Sequence, residues 1–251
     1  MFFIPLFLFH YFYSIIFIPL FLFHFGKIFE RCKKHINTFN VRVKNFSIIE
    51  ACFKIYSLSG LKDVVFVCVV DPGVGTKRKI KIIKTKKNFF IGPDNGIFSL
   101  IDENLIEKII EVSNEQFSPS PTFHGRDIFA VIAGKILNGH KIESFGKEVK
   151  EIKRVDLKNK ILYIDEFGDI ITAINNKKIM AKFGEILKVK IMCKDKKVKI
   201  IESKFVRTYA DEKEKFVIYK GSSGFLEIAK FKDNAAKILN VKIGDGIKIL
   251  D

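Results

Sequence analysis

Seven apolar residues in a row, Val64–Val70 (VVFVCVV), end abruptly at Asp71-Pro72-Gly73. An unbroken β-branched run of this length predicts a strand buried on both faces that feeds a tight loop. Upstream, Ser47–Leu58 (SIIEACFKIYSL) places apolar residues at helical spacing, with Ser47 as N-cap and Glu50 three residues later. Asn88–Ile91 is a short strand candidate running into Gly92-Pro93-Asp94-Asn95-Gly96, and Gly96–Ile101 restarts an apolar pattern. Asp127–Leu137 (DIFAVIAGKIL) has helical period, with Asp127 near its positive N-terminus and Gly139 just past its end. Strand and helix signals alternate to about residue 150, which predicts an α/β domain with a central sheet.

The texture changes after Lys158. Lys160–Ile164, Ile170–Ile174, Leu187–Met192, Lys197–Glu202, Phe216–Tyr219 and Gly246–Leu250 are short strand candidates separated by Gly, Asp and Lys turns. That pattern predicts a smaller all-β, barrel-like C-terminal domain. The boundary falls in the charged run KEVKEIKRVDLKNK, giving an α/β domain over residues 46–152 and a β domain over 158–251.

Residues 1–45 stand apart. Met1–Phe25 carries no charge, holds nine of the chain's 27 phenylalanines, and contains FIPLFLFH twice, at Phe3–His10 and Phe17–His24. The stretch is long enough to cross a bilayer as one helix, and Lys27, Arg31, Lys33 and Lys34 would leave its C-terminal side cytoplasmic. Pro5 and Pro19 argue against a continuous helix. Membrane contact through residues 1–25 is therefore the less favoured alternative to a cytoplasmic protein.

Composition narrows the classes further. Apolar residues make up 48% of the 251 and charged residues 29%, enough to bury a core. The net charge is +16. It permits a polyanionic partner, but no helix carries a basic stripe and no aromatic platform is interleaved with Lys or Arg, so no nucleic-acid partner is expected. KIKIIK within Lys77–Lys87 reads as a strand with one solvated face. Cys32, Cys52, Cys68 and Cys193 are scattered, without CxxC spacing, which fits a reducing compartment and no cysteine-held metal.

Polar residues and glycines gather where apolar runs stop, the place where α/β folds put ligands. Asp71–Arg78 (DPGVGTKR) is an irregular loop whose Arg78 can fold back toward Asp71. GPDNG follows at Gly92–Gly96. Pro121–Asp127 (PTFHGRD) sets His124 before a helix start, beside a glycine that permits close approach. Asp165–Asp169 (DEFGD) offers the aromatic Phe167 between carboxylates, and Gly221–Glu227 (GSSGFLE) offers hydroxyls and backbone N–H groups. Each is an ordinary turn when taken alone.

In order, DPGVGT-x-R, GPDNG, FHGRDIFA, IDxFGxxIT, RTYAD and GSSGFLEIA make the chain from about residue 45 onward resemble the S-adenosyl-L-methionine (SAM) hydroxide adenosyltransferase family. This is the adenosine-forming SAM hydrolase group, related to fluorinase and chlorinase. The resemblance implies an α/β domain followed by a β-barrel-like domain, and a homotrimer with active sites at subunit interfaces. It implies hydrolysis of SAM to adenosine and L-methionine by attack of water or hydroxide at ribose C5′, with SAM as substrate and no cofactor. It places the catalytic set on Asp71, Arg78 and His124. The substrate-binding set falls on Asn95, Phe123, Asp165, Phe167, Asp169, Ser222, Ser223 and Glu227. Within that set Asp165 lies near the methionine amino group and Phe167 and Asp169 by the adenine, while Ser222 and Ser223 meet the methionyl end or the purine. Gly125 stands where the halogenases carry a halide-binding serine, which favours hydrolysis.

Three departures bear on activity. Asp169 and Ala173 replace two asparagines of the family pattern, and an ionised Asp169 cannot donate to a ring nitrogen. In Phe23-His24-Phe25-Gly26, His24 occupies the place of an aspartate that grips the ribose hydroxyls. The segment from there to Asp71 is also shorter than the family pattern, and an incomplete first strand would leave the sheet poorly closed. The alternative function is thus a degenerate homologue that binds adenosine-type ligands with little turnover.

Overall fold

The computed structural model describes residues 13–18, 36–213 and 215–250. The chain divides into two compact units, one up to Val155 and one from Asp156.

The first unit is built on a seven-stranded sheet. Its strands are β1 (Tyr13–Ile18), β2 (Ile36–Asn40), β3 (Val64–Cys68), β4 (Ile80–Thr85), β5 (Asn88–Pro93), β6 (Ile106–Val112) and β7 (Gly146–Val149), in the order β2-β1-β3-β5-β4-β6-β7. β2, β1, β3 and β5 run parallel, and β4, β6 and β7 continue antiparallel. A strand inside the apolar segment therefore pairs on both sides and carries the sheet past β3, where an open edge was expected. The middle of that segment is extended backbone, and among the described residues no helix is long and apolar enough to cross a membrane. His24 lies outside the described residues.

Alternation along β3 divides the core in two. Val65 and Val67 face one side, with Ile80, Ile82, Ile91 and helix α2 (Ala130–Leu137). Phe66 and Cys68 face the other, with Phe90, Phe98 and helix α1 (Ile48–Leu58). Phe66 and Phe90 stack with centroids 4.6 Å apart. Helix α1 begins as the sequence dictates: Ser47 Oγ accepts from the Glu50 N–H.

KIKIIK departs from its expected solvated face. Every residue of β4 but Lys84 is buried, and Lys81 is only 4% exposed. Its ammonium lies 2.9 Å from Glu111 and 3.7 Å from Asp94, so carboxylates take the place of water around a buried cation. In return, Lys81 holds the Glu111 carboxyl below its usual range.

The second unit is a sheet of β8 (Ile161–Ile164), β9 (Ile170–Asn175), β10 (Ile186–Met192), β11 (Val198–Val206), β12 (Phe216–Lys220), β13 (Phe225–Lys230) and β14 (Gly246–Leu250). Their order is β14-β10-β11-β12-β13-β9-β8. A bridge between Lys160 and Gly246, with Ile161 N–H on the Asp245 carbonyl, joins the two edges and nearly closes the barrel. Helix α3 (Ala235–Leu239) packs its buried alanines onto the same core.

Gly92, at the end of β5, is where the sheet leaves no room. A Cβ there would lie 2.7 Å from the Cys68 carbonyl oxygen and 3.1 Å from Phe98. We expect Gly92→Ala to cost about 1–3 kcal/mol, lowering Tm by several degrees in calorimetry. Gly60→Ala, with nothing within 4 Å of the new methyl, should leave Tm unchanged. Equal effects from the two would refute this account of the packing.

Candidate active site

Three loops converge at the exit of β3. Asp71 lies just past that strand, and the next residues fold into consecutive turns: Val74 N–H bonds the Asp71 carbonyl, and Thr76 N–H the Gly73 carbonyl. Gly75 has φ +78°, and a Cβ on it would lie 3.0 Å from the Pro121 carbonyl oxygen, so the loop lies directly on Pro121–Asp127. From the third loop, Asn95 Nδ2 donates to the Val70 carbonyl while its Oδ1 accepts from Ile97 N–H. The Asn95 amide thus ties GPDNG to the strand exit.

The turns bring Arg78 back onto Asp71. Arg78 Nε donates to Asp71 Oδ1 at 3.0 Å, and Nη2 makes a short contact with Asp71 Oδ2. The same Nη2 lies 2.8 Å from His124 Nδ1. Asp71 therefore fixes Arg78 directly and His124 through Arg78. Both side chains of the ion pair are more than nine-tenths buried. The guanidinium also lies over the Phe129 ring, 5.7 Å from its centroid. Arg78 Nη1 is buried and has no hydrogen-bond acceptor among the described residues.

His124 arrives from an unexpected local structure. The helix expected from Asp127 is preceded and partly replaced by a π-turn over Gly125–Phe129, which continues into α2. A Cβ at Gly125 would lie 2.5 Å from Val69 Cγ1, so glycine lets this turn press onto the strand exit. A serine there would not fit without displacing Val69. Asp127 braces the loop by accepting from Ser120 N–H and pairing with Arg126, whose guanidinium covers the Phe123 ring at 4.9 Å. Phe123 itself is exposed.

Burial and the charge of Arg78 push the His124 pKa below its usual value near 6.5, against an opposing pull from Asp71 and Asp127. The imidazole is then neutral at pH 7. Because Arg78 donates to Nδ1, the ring proton sits on Nε2. The site holds a fixed cation and a neutral N–H donor, a pair suited to an anion.

In the second unit the other sequence candidates fall into two turns. Asp165 Oδ1 accepts from the N–H groups of Phe167 and Asp169, shaping the β8–β9 hairpin, and Phe167 is 80% exposed at its tip. Asp169 and Glu227 flank Tyr219, whose hydroxyl donates to Asp169 Oδ2 at 3.2 Å. Ser223 Oγ lies 3.5 Å from Glu227, while Ser222 is exposed. Burial, and then the charge of Asp165, raises the Asp169 pKa to about 6. Glu227 is raised for the same reasons. Sequence reasoning missed Tyr219 and Phe129. Tyr219 sits in an ordinary alternating strand, and Phe129 reads as core until Arg78 is placed above it.

Comparison with known proteins gives the family of the chain. The SAM hydroxide adenosyltransferase N-terminal domain matches residues 26–146, and the C-terminal domain of the same family matches residues 159–248. An (R)-S-adenosyl-L-methionine hydrolase from Methanocaldococcus jannaschii is 39% identical over 236 residues, covering 90% of this chain and 88% of the relative. One from Thermus thermophilus is 30% identical over 206 residues, covering 74% of this chain and 75% of the relative. Among solved structures, an uncharacterized conserved protein from Thermotoga maritima superposes with a TM-score of 0.80 at 28% identity, over 94% of this chain and 100% of that one. With both domain families matched in order across most of its length, the chain belongs to the SAM hydroxide adenosyltransferase family.

Proposed function

We propose that this protein hydrolyses S-adenosyl-L-methionine to adenosine and L-methionine, with Asp71, Arg78 and His124 as its catalytic set. The observation that carries the reading is the buried Arg78 guanidinium, held by Asp71 and His124 with Nη1 left unpaired. Hydroxide, formed from water with loss of a proton to solvent, bonds to ribose C5′. The C5′–S bond breaks, and its electron pair stays on sulfur. The sulfonium leaves as a neutral thioether, so neither a general acid nor a metal is written into the scheme. What remains is to hold hydroxide and aim it in line with the C–S bond.

Arg78 Nη1 and His124 Nε2–H both donate, so they stabilise and orient an oxygen anion. The tautomer imposed by Arg78 makes His124 a donor to hydroxide rather than the base that removes its proton. Asp71 is a positioning residue: it fixes the guanidinium and offsets its burial. Asn95, Phe123, Asp165, Phe167, Asp169, Ser222, Ser223 and Glu227 are proposed to bind substrate, with Asn95 also tying its loop to the strand exit. A homotrimer belongs to the same reading. The free thiols of Cys52, Cys68 and Cys193 fit a reducing, cytosolic compartment.

Incubation of purified protein with SAM, following adenosine and methionine by chromatography, tests the reaction. Arg78→Ala should lower kcat by about 10²–10³-fold. Arg78→Lys should recover little, since an ammonium cannot span Asp71 and His124. Adenosine bound without turnover in the parent would instead select the degenerate homologue.

Hydroxide formed from water becomes scarcer as pH falls, so kcat should decline toward acid. This decline should steepen below pH 6.5, where protonation of His124 breaks its bond from Arg78. An acid limb with no steepening below pH 6.5 would overturn this assignment.

Asp169 gives a prediction of opposite sign. Its folded pKa of about 6 lies above its ordinary value of 3.8, so the native state gains from the proton and loses that gain as pH rises through 6. Asp169→Asn should match the parent's Tm near pH 4 and exceed it above pH 7. A difference independent of pH would refute the burial of this carboxylate.

A further inference from the structure

The turn Gly221–Gly224, which carries Ser222 and Ser223, is gripped from outside its own hairpin. β12 and β13 close it with Gly221 N–H on the Phe225 carbonyl and Gly224 N–H on the Gly221 carbonyl. Asn176, just past the end of β9, reaches both ends of the turn. Its side-chain Nδ2 donates to the Gly221 carbonyl at 2.9 Å, and its backbone N–H donates to the Gly224 carbonyl at 2.9 Å. Neighbouring Asn175 holds this approach by capping the Lys177 N–H. The Glu227 carboxyl also lies against Gly221, so closely that a Cβ there would overlap it. The turn is thus held by an amide and touched by a carboxyl.

We propose that Asn176 is a positioning residue for substrate binding: it sets the Gly221–Gly224 turn so that Ser222 and Ser223 meet the substrate. The inference rests on the reading of the protein as a SAM hydrolase. Two features separate this role from ordinary turn stabilisation. The hydrogen bonds from Asn176 fall on carbonyls at the two ends of the turn that carries Ser222 and Ser223. Asn176 Oδ1 is buried and has no donor among the described residues. An acceptor left buried and unpaired is costly, and here it belongs to the same amide as the nitrogen that fixes the turn. Ser222 itself is exposed on that turn, open to a ligand.

The test compares Asn176→Ala and Asn176→Gln with the parent by steady-state kinetics on SAM and by hydrogen exchange of the peptide spanning residues 220–225. Loss of one positioning hydrogen bond should raise KM about 5–10-fold in Asn176→Ala, with kcat within about twofold. Exchange in the turn should accelerate while the strands stay protected, and Asn176→Gln should recover part of KM. An active Asn176→Ala enzyme with unchanged KM overturns the inference alone. So does a joint fall of kcat and Tm with exchange accelerated throughout the second unit, which marks a purely structural role. If the parent forms no adenosine and SAM does not bind it in calorimetry, the hydrolase reading fails, and the inference with it.

Discussion

A guanidinium and a carboxylate buried together can cost more in lost hydration than their attraction returns. Arg78 and Asp71 escape that penalty because several other contacts are arranged around them. Two donors of the fork meet the two carboxylate oxygens, a ring supports the guanidinium from one side, and an imidazole nitrogen accepts a further N–H. These partners come from two segments, Asp71–Arg78 and His124–Phe129, which meet through close backbone approaches. Gly75 lies on the Pro121 carbonyl and Gly125 on Val69, so the loops sit near enough for side chains seven and 46 residues apart to touch. The core of the first unit, with Phe66 and Phe90 stacked beneath the strand exit, is the rigid base from which these loops are hung.

Much of this was legible because local chemistry and tertiary structure agree. The Val64–Val70 run could hardly be anything but a buried strand, and Ser47 with Glu50 marks its helix start to the residue. The six strand candidates of the second half all lie on observed strands, since turn residues punctuate them regularly. The strands β6 and β13 were not picked out, because Ile106–Val112 and Phe225–Lys230 carry charges at positions that also suit a helix. Lys81 misled for a related reason: alternation reports which side chains are polar, and a buried ion pair satisfies the same pattern as water. The π-turn was illegible, for its hydrogen bonds follow from the packing of Gly125 on Val69.

The site divides in the same way. Asp71, Arg78 and His124 could be named because each sits in a glycine-bearing loop at the end of an apolar run. Tyr219 and Asn176 could not. Tyr219 meets Asp169 across 50 positions, through the pairing of β13 with β12 and β9. The charge balance shows a similar limit. In a chain with 44 Lys and Arg, neither Asp169 nor Glu227 forms an ion pair among the described residues. The net +16 describes the surface and says nothing of the polarity of these turns.

The π-turn at Gly125–Phe129 has a consequence for how such a chain can change over time. A π-turn is an α-helical turn that has absorbed one additional residue. Deleting any one of those five would restore a regular helix and give back its ordinary hydrogen bonding. It would also rotate everything before the deletion by about 100° around the helix axis, carrying His124 away from Arg78. A lineage losing a codon here would therefore exchange its imidazole for a better helix, and selection on fold stability alone would favour the loss. The irregular turn thus sets the angle at which the neighbouring His124 meets Arg78, an angle that a regular helix over the same residues would not give.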